Sequence, residues 1–198
     1  MHTLKPSTFA RASALLLLAA ILVVARPASA LDVEGVHLDD AITVGGTRLV
    51  LNGVGVRHVT IFNVSVYVGA LYLPVRTYDS AIVLDVFMIK RFIGVFRRGV
   101  SHDQARETFE STVRASAGSG LGAIESEVRA FEEWLPEFSE GERLVVTFDP
   151  AHGTTAEATH PTTTFHASTA FGLALFGVWV GAHHVDDGLR DGMLGTSH

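Results

Sequence analysis

The hydrophobic spacing of this chain changes twice, and that change limits the fold more than any other feature. From Leu31 to Val95 apolar residues come in short runs rich in Val, Ile and Tyr. After Ser101 they recur at helical spacing, and beyond Pro136 alternation returns. Strands, then helices, then strands and a last helix do not make repeated βαβ units. The order predicts an α+β fold with an antiparallel sheet.

Within the first block, Gly45-Gly46 marks a turn between short strands. Val59–Ile61 and Val64–Leu73 read as strands, with Pro74 ending the second, and Leu84–Val95 reads as another. Ser101 followed by Gln104 predicts a capping box, with Ala105, Phe109, Thr112 and Val113 on one helix face. After the glycines at 118–120, Leu121, Ile124, Val128, Phe131 and Leu135 define a second helix. Glu125, Glu127, Glu132 and Glu133 are expected on its solvated side. "ERLVVTF", "TTAEATH" and "TTTFHA" read as strands, with a turn at "DPAHGT". Ser168 should cap a buried helix over Thr169–Val180 that Gly181 stops, and Val185–Leu194 should form one more short helix.

The first 30 residues read differently. Lys5 and Arg11 precede the apolar run Ala12–Val24, about 13 residues and short of the roughly 20 a spanning helix needs. Ala28-Ser29-Ala30 then supplies a small-residue exit. These are the marks of a secretory signal peptide over 1–30, leaving one domain over 31–198 in the periplasm or outside the cell. The leader holds three of the 15 Lys and Arg and none of the 21 Asp and Glu, so the remainder carries 12 against 21, a charge of −9. A nucleic-acid partner is not expected, because phosphate binding needs a basic face. Without cysteine there is neither disulfide nor thiolate chemistry.

In the apolar stretch "NGVGVRHVTIFNVSVYVGALYLP", only Arg57 and His58 can carry charge. A guanidinium keeps its proton in a protein, so a buried one needs an anion or several acceptors. Gly53 and Gly55 would let another group approach the backbone closely. If pairing is unbroken, Asn63, Ser65 and Tyr67 share a strand face with Gly69 as a gap, while Val64, Val66, Val68 and Ala70 form core. Arg57 is then either an anion fork or a strand-end charge, solvated or paired with a carboxylate.

That stretch, from Leu51, resembles the opening motif of the chalcone isomerase-like superfamily in its exported bacterial branch. "FHASTAFGLALFGVWVGAHHVDDGLRDGMLG", Phe165–Gly195, is similar to the C-terminal part of that branch. The resemblance implies an open-faced β-sandwich, a large antiparallel sheet covered on one face by helices, with the ligand cleft between them. Some members close a flavanone ring, with an arginine stabilising the phenolate. Others are similar in fold and bind fatty acids, an arginine and a tyrosine holding the carboxylate. Arg57 matches the family arginine in its Gly-x-Gly-x-Arg setting.

The rest of the isomerase set has no match. Its first threonine position falls at Tyr67, its tyrosine and asparagine fall near Gln104 and Ser111, and its final threonine or serine has no clear counterpart near "WVGAHHVDD". Ring closure needs donors aimed at the developing enolate, and losing one costs about 10²–10³ in rate. The expectation is therefore a non-catalytic binding protein for a small hydrophobic or amphipathic carboxylate, with Arg57, Tyr67, Ser65 and Asn63 at the ligand. An intramolecular lyase of chalcone isomerase type and a structural envelope protein are the alternatives.

No cofactor is expected. His183 and His184 are adjacent, and His152, His160 and His166 lie on a turn and two strands, a poor arrangement for zinc. Trp134 and Trp179 read as core. Lys90, Arg91, Arg97 and Arg98 form a basic patch split by strand parity, hence a solvated edge, with peripheral contact to anionic lipid heads as its second reading.

Overall fold

The computed structural model describes residues 30–59, 64–160 and 163–196. The expected leader, apart from Ala30, and Asn63 lie outside the described residues. Strands β1 (Ala30–Val33) and β2 (Val36–Asp39) form a hairpin. Seven further strands form one antiparallel meander in chain order: β3 (Ala41–Val44), β4 (Thr47–Val59), β5 (Val64–Leu73), β6 (Lys90–Phe96), β7 (Arg143–Asp149), β8 (Gly153–Ala158) and β9 (Thr164–Ala167). The turn into β4 uses positive φ at Gly45 and Gly46, as a tight hairpin with right-handed twist requires.

Helices α2 (His102–Ala117), α3 (Leu121–Trp134), α4 (Thr169–Val180) and α5 (Asp187–Leu194) cover one face of this sheet. The main core lies between them, around Phe92, Phe148, Phe131, Phe171 and Phe176. A smaller core, with Leu38, Leu49, Val68 and Tyr72, lies on the opposite face under the β1–β2 hairpin. The expected open-faced sandwich is thus the observed architecture.

The capping signals hold. Ser101 accepts from the Gln104 amide and Gln104 returns a bond from the Ser101 amide. Ser168 caps α4 by accepting from the Phe171 amide, and its own amide and hydroxyl donate to Glu127. Glu127 therefore anchors an adjacent helix start. Glu132 also departs from the solvated face: it is buried and turned toward Arg114 across the α2–α3 pair. Burial, followed by the nearby Glu110 charge, raises its pKa.

The strand expected over Leu84–Val95 begins only at Lys90. Before it stand a single helical turn, α1 (Ser80–Val83), and a bend in which Asp85 accepts from the Phe87 amide. That local side-chain bond gives the backbone an alternative to the sheet ladder. The Lys90 ammonium then donates to the carbonyls of Val83 and Asp85, both at 2.7 Å, and closes the bend.

Candidate functional site

Two irregularities in the β4–β5 pair decide where the side chains point. Pairing runs Leu51 with Tyr72 and then Gly53 with Leu71, leaving Asn52 as an extra residue. Asn52 uses this freedom to bond Thr77 and the Met193 carbonyl. The bulge turns Gly53, Gly55 and Arg57 toward the helices, while Val54 and Val56 pack on the smaller core.

The two glycines then have a concrete role. A Cβ on Gly53 would meet the backbone of Gly192 and Met193, and one on Gly55 would meet the backbone of Leu189. The group that approaches these glycines is α5 itself, seated backbone to backbone on β4. The helix begins only at Asp187, so the next position on that face, Arg57, lies beyond its end. Asp186 caps the helix through the Leu189 amide and also accepts from the His58 amide at 3.4 Å. This fixes the helix start beside Arg57.

The second irregularity falls between the pairs Arg57–Tyr67 and His58–Ser65, with Val66 as the extra residue. It breaks the alternation expected for β5. Tyr67 faces the helices together with Val66, whereas Ser65 faces the other way and donates to Glu34 at 3.1 Å. Ser65 therefore does not join Tyr67 at a common site. The expected gap at Gly69 is filled too: a Cβ there would be 2.8 Å from Leu189 Cδ1 and 3.0 Å from Phe92 Cε2. Val64, expected in the core, is 37% exposed.

Beyond the end of α5 the sheet and helices leave between them an open cavity of about 310 Å³. Arg57, Tyr67 and Val66 supply its sheet side, with Phe96, Arg98 and Val100 at alternate positions along the next segment. Gln104, Glu107 and Thr108 come from the first turns of α2, Trp179 from the end of α4, and Val185 from the α4–α5 connection. Aromatic packing stiffens the wall: Phe96 stacks on Phe138 at 3.9 Å between ring centroids, and Phe92 on Trp179 at 3.7 Å.

Arg57 is partly buried, with its guanidinium carbon 5.9 Å from the centre of the Tyr67 ring. Its Nε is shielded from solvent and has no hydrogen-bond acceptor among the described residues. No described carboxylate reaches the 4.0 Å of an ion pair with it; Arg97, by contrast, lies within that distance of Glu34 and Glu140. Burial pushes the Tyr67 phenol up to about 12, opposed by the Arg57 charge and by the Trp179 side chain. Tyr67 is consequently a neutral donor at physiological pH. The pair offers a positive fork and one neutral hydroxyl against an otherwise largely apolar wall.

The structure thus brings Arg57 and Tyr67 together and sends Ser65 away. Gln104 lies at the rim, while Ser111 is exposed and donates to the Thr108 carbonyl on its own helix. Among the wall residues not anticipated as such are Arg98, Thr108 and Trp179. Strand alternation carried no signal for the first, since β6 ends at Phe96 and the chain bends at Arg97 and Arg98. Among the described residues no group of three His, Asp or Glu is placed to hold a metal, and no helix is long and apolar enough to cross a membrane.

Comparison with known proteins supports this architecture. The Arabidopsis thaliana fatty-acid binding protein AtFAP1 has a similar fold, with a TM-score of 0.65 at 12% sequence identity over 84% of this chain and 96% of that one. No curated protein matches by sequence. The chalcone isomerase-like family model matches residues 30–195, and the chain belongs to that family.

Proposed function

We propose that this protein is a non-catalytic carrier or sensor of a small amphipathic carboxylate, held between the sheet and α2. The observation that carries the reading is the shielded Nε of Arg57, without a partner among the described residues, at the wall of a largely apolar cavity. A guanidinium with unused donors in such a place recovers its lost hydration by gripping an anion. Tyr67 adds a neutral hydrogen bond, and the apolar wall takes the tail. The similar fold of a fatty-acid binding protein agrees with this chemistry.

The cavity also limits the tail. Its volume of about 310 Å³ lies at the small end of the range for ligand pockets. That suits a chain of medium length, such as decanoate. The leader-like sequence of residues 1–30 supports a periplasmic or secreted location. Recovery from the periplasmic fraction of a chain beginning at Leu31 is the expected outcome, and an intact N-terminus would contradict it.

Ring closure has less support, because Ser111 points away from the cavity and Gln104 sits exposed at its rim. A collapsed structural domain has less support too, since the cavity is open. The test is native mass spectrometry of the purified protein, together with calorimetry against decanoate. A co-purified acid or a saturable heat, lost in Arg57→Ala, is the expected result. No bound species and no heat would overturn the proposal.

A further inference from the structure

The cavity presents a second guanidinium. Arg97 and Arg98 are adjacent in sequence, and the backbone after β6 separates them. Arg97 lies near Glu34 and Glu140, with which it shares its charge. Arg98 lines the cavity with its neighbours at alternate positions, Phe96 and Val100. Among the described residues the Nε atoms of Arg57, Arg97 and Arg98 are all shielded from solvent without an acceptor, but of the three only Arg97 has a carboxylate within 4.0 Å. Glu107, the only carboxylate residue in the wall among the described residues, is on the exposed side of α2.

The register shows how the two cations share one space. Arg57 pairs with Tyr67, and Tyr67 pairs with Phe96, so these three form a row across adjacent strands on one face. The row spans two strand spacings, about 10 Å. β6 ends at Phe96 and the chain bends at Arg97 and Arg98, where the Arg97 amide donates to the Val66 carbonyl at 2.8 Å and holds the bend beside the Tyr67 strand. Arg57 on β4 and Arg98 in the bend after β6 therefore line one cavity, with the Tyr67 strand between them.

Two like charges in a largely apolar wall repel one another, and one negative charge neutralises only half of them. From this pairing we infer that the site selects amphiphiles whose head carries two negative charges, with Arg57 and Arg98 each taking one side of it. The inference rests on the carboxylate-binding reading of the cavity and narrows it. An alkyl phosphate and an alkylmalonate share the required chemistry, a doubly charged head on a single tail.

The test is calorimetry of the purified protein at pH 8 with decanoate, decyl phosphate and octylmalonate. One or both dianions should bind at least about tenfold more tightly than decanoate, the effect of one added charge-assisted bond. Which of them does so tells a phosphate head from paired carboxylates. Arg98→Gln should abolish that advantage, bringing the ratio of dianion to decanoate affinity down to about one. Arg98→Lys, which keeps the charge but not the fork, should retain part of the advantage and guards against a folding defect in the first variant. Decanoate binding as tightly as both dianions, or a dianion advantage that survives Arg98→Gln, would overturn the second anchor and leave the single-anion site standing. No binding of any of the three would overturn both readings.

Discussion

Lys90 and Arg57 are both cations on the two strands that flank β5, and they have opposite fates. Lys90 opens β6 at one end of the sheet and is completely buried. Its ammonium donates to two carbonyls and lies 4.2 Å from the centre of the Phe148 ring. Its hydrogen bonding is met from within the protein. Arg57, at the other end, is only partly buried, yet its Nε has no acceptor among the described residues and an open cavity lies beside it. The contrast teaches that burial alone does not mark a site. What marks it is a charge whose bonding capacity the fold leaves unused.

Substitution can break this comparison directly. Lys90→Ala should have the largest effect, a destabilisation of about 2–4 kcal/mol from two orphaned carbonyls and a new void. Urea unfolding measures the loss, and decanoate affinity should be unchanged in the remaining folded protein. Arg57→Ala should behave in reverse. It should weaken decanoate binding by about 10²-fold, as two charge-assisted bonds are lost, yet change stability by less than about 1 kcal/mol. A variant pair in which both residues affected stability alike would erase the distinction.

Titration sharpens the same contrast. Burial lowers the pKa of Lys90 from 10.5 to about 8, partly opposed by the Asp85 charge. A group with a depressed folded-state pKa is held protonated longer by the unfolded chain. Below about pH 8 the cost of burying the ammonium is present in full. From there to 10.5 the folded state sheds the proton first, so stability rises relative to Lys90→Met. The gain should be about 1–3 kcal/mol, read from urea midpoints of the two proteins across that window. The smallest effect belongs to Tyr67→Phe, which keeps the ring beside Arg57 and loses one neutral hydrogen bond. Decanoate affinity should fall by about fivefold, and calorimetry measures it.

The order of elements was readable because it rests on local signals. Ser101 with Gln104, Ser168 before the apolar helix, and Gly45-Gly46 each satisfy a backbone requirement that short-range chemistry dictates. Arg57 was readable as well, as a lone cation in an apolar run. The partners around it were not. Strand parity places Ser65 beside Tyr67 only if pairing is unbroken, and the extra residue at Val66 reverses Ser65. A bulge is a property of two strands together, so one strand read alone does not reveal it. The Gly53 and Gly55 pair was recognised as a close-approach surface, but its occupant, α5, comes from more than 130 residues later in the chain. Arg98 was hidden by its neighbours, since four basic residues in one region look like a solvated edge until the fold separates them.

The central claim is that the Arg57 guanidinium keeps a bonding direction open for an incoming anion. The Nε–Hε resonance of Arg57, followed by nuclear magnetic resonance while decanoate is added, tests it most directly. The account predicts a saturable downfield shift and slower proton exchange, both at the same midpoint as the calorimetric binding curve. A resonance that stays fixed while decanoate saturates the protein would place the acid elsewhere and contradict the account.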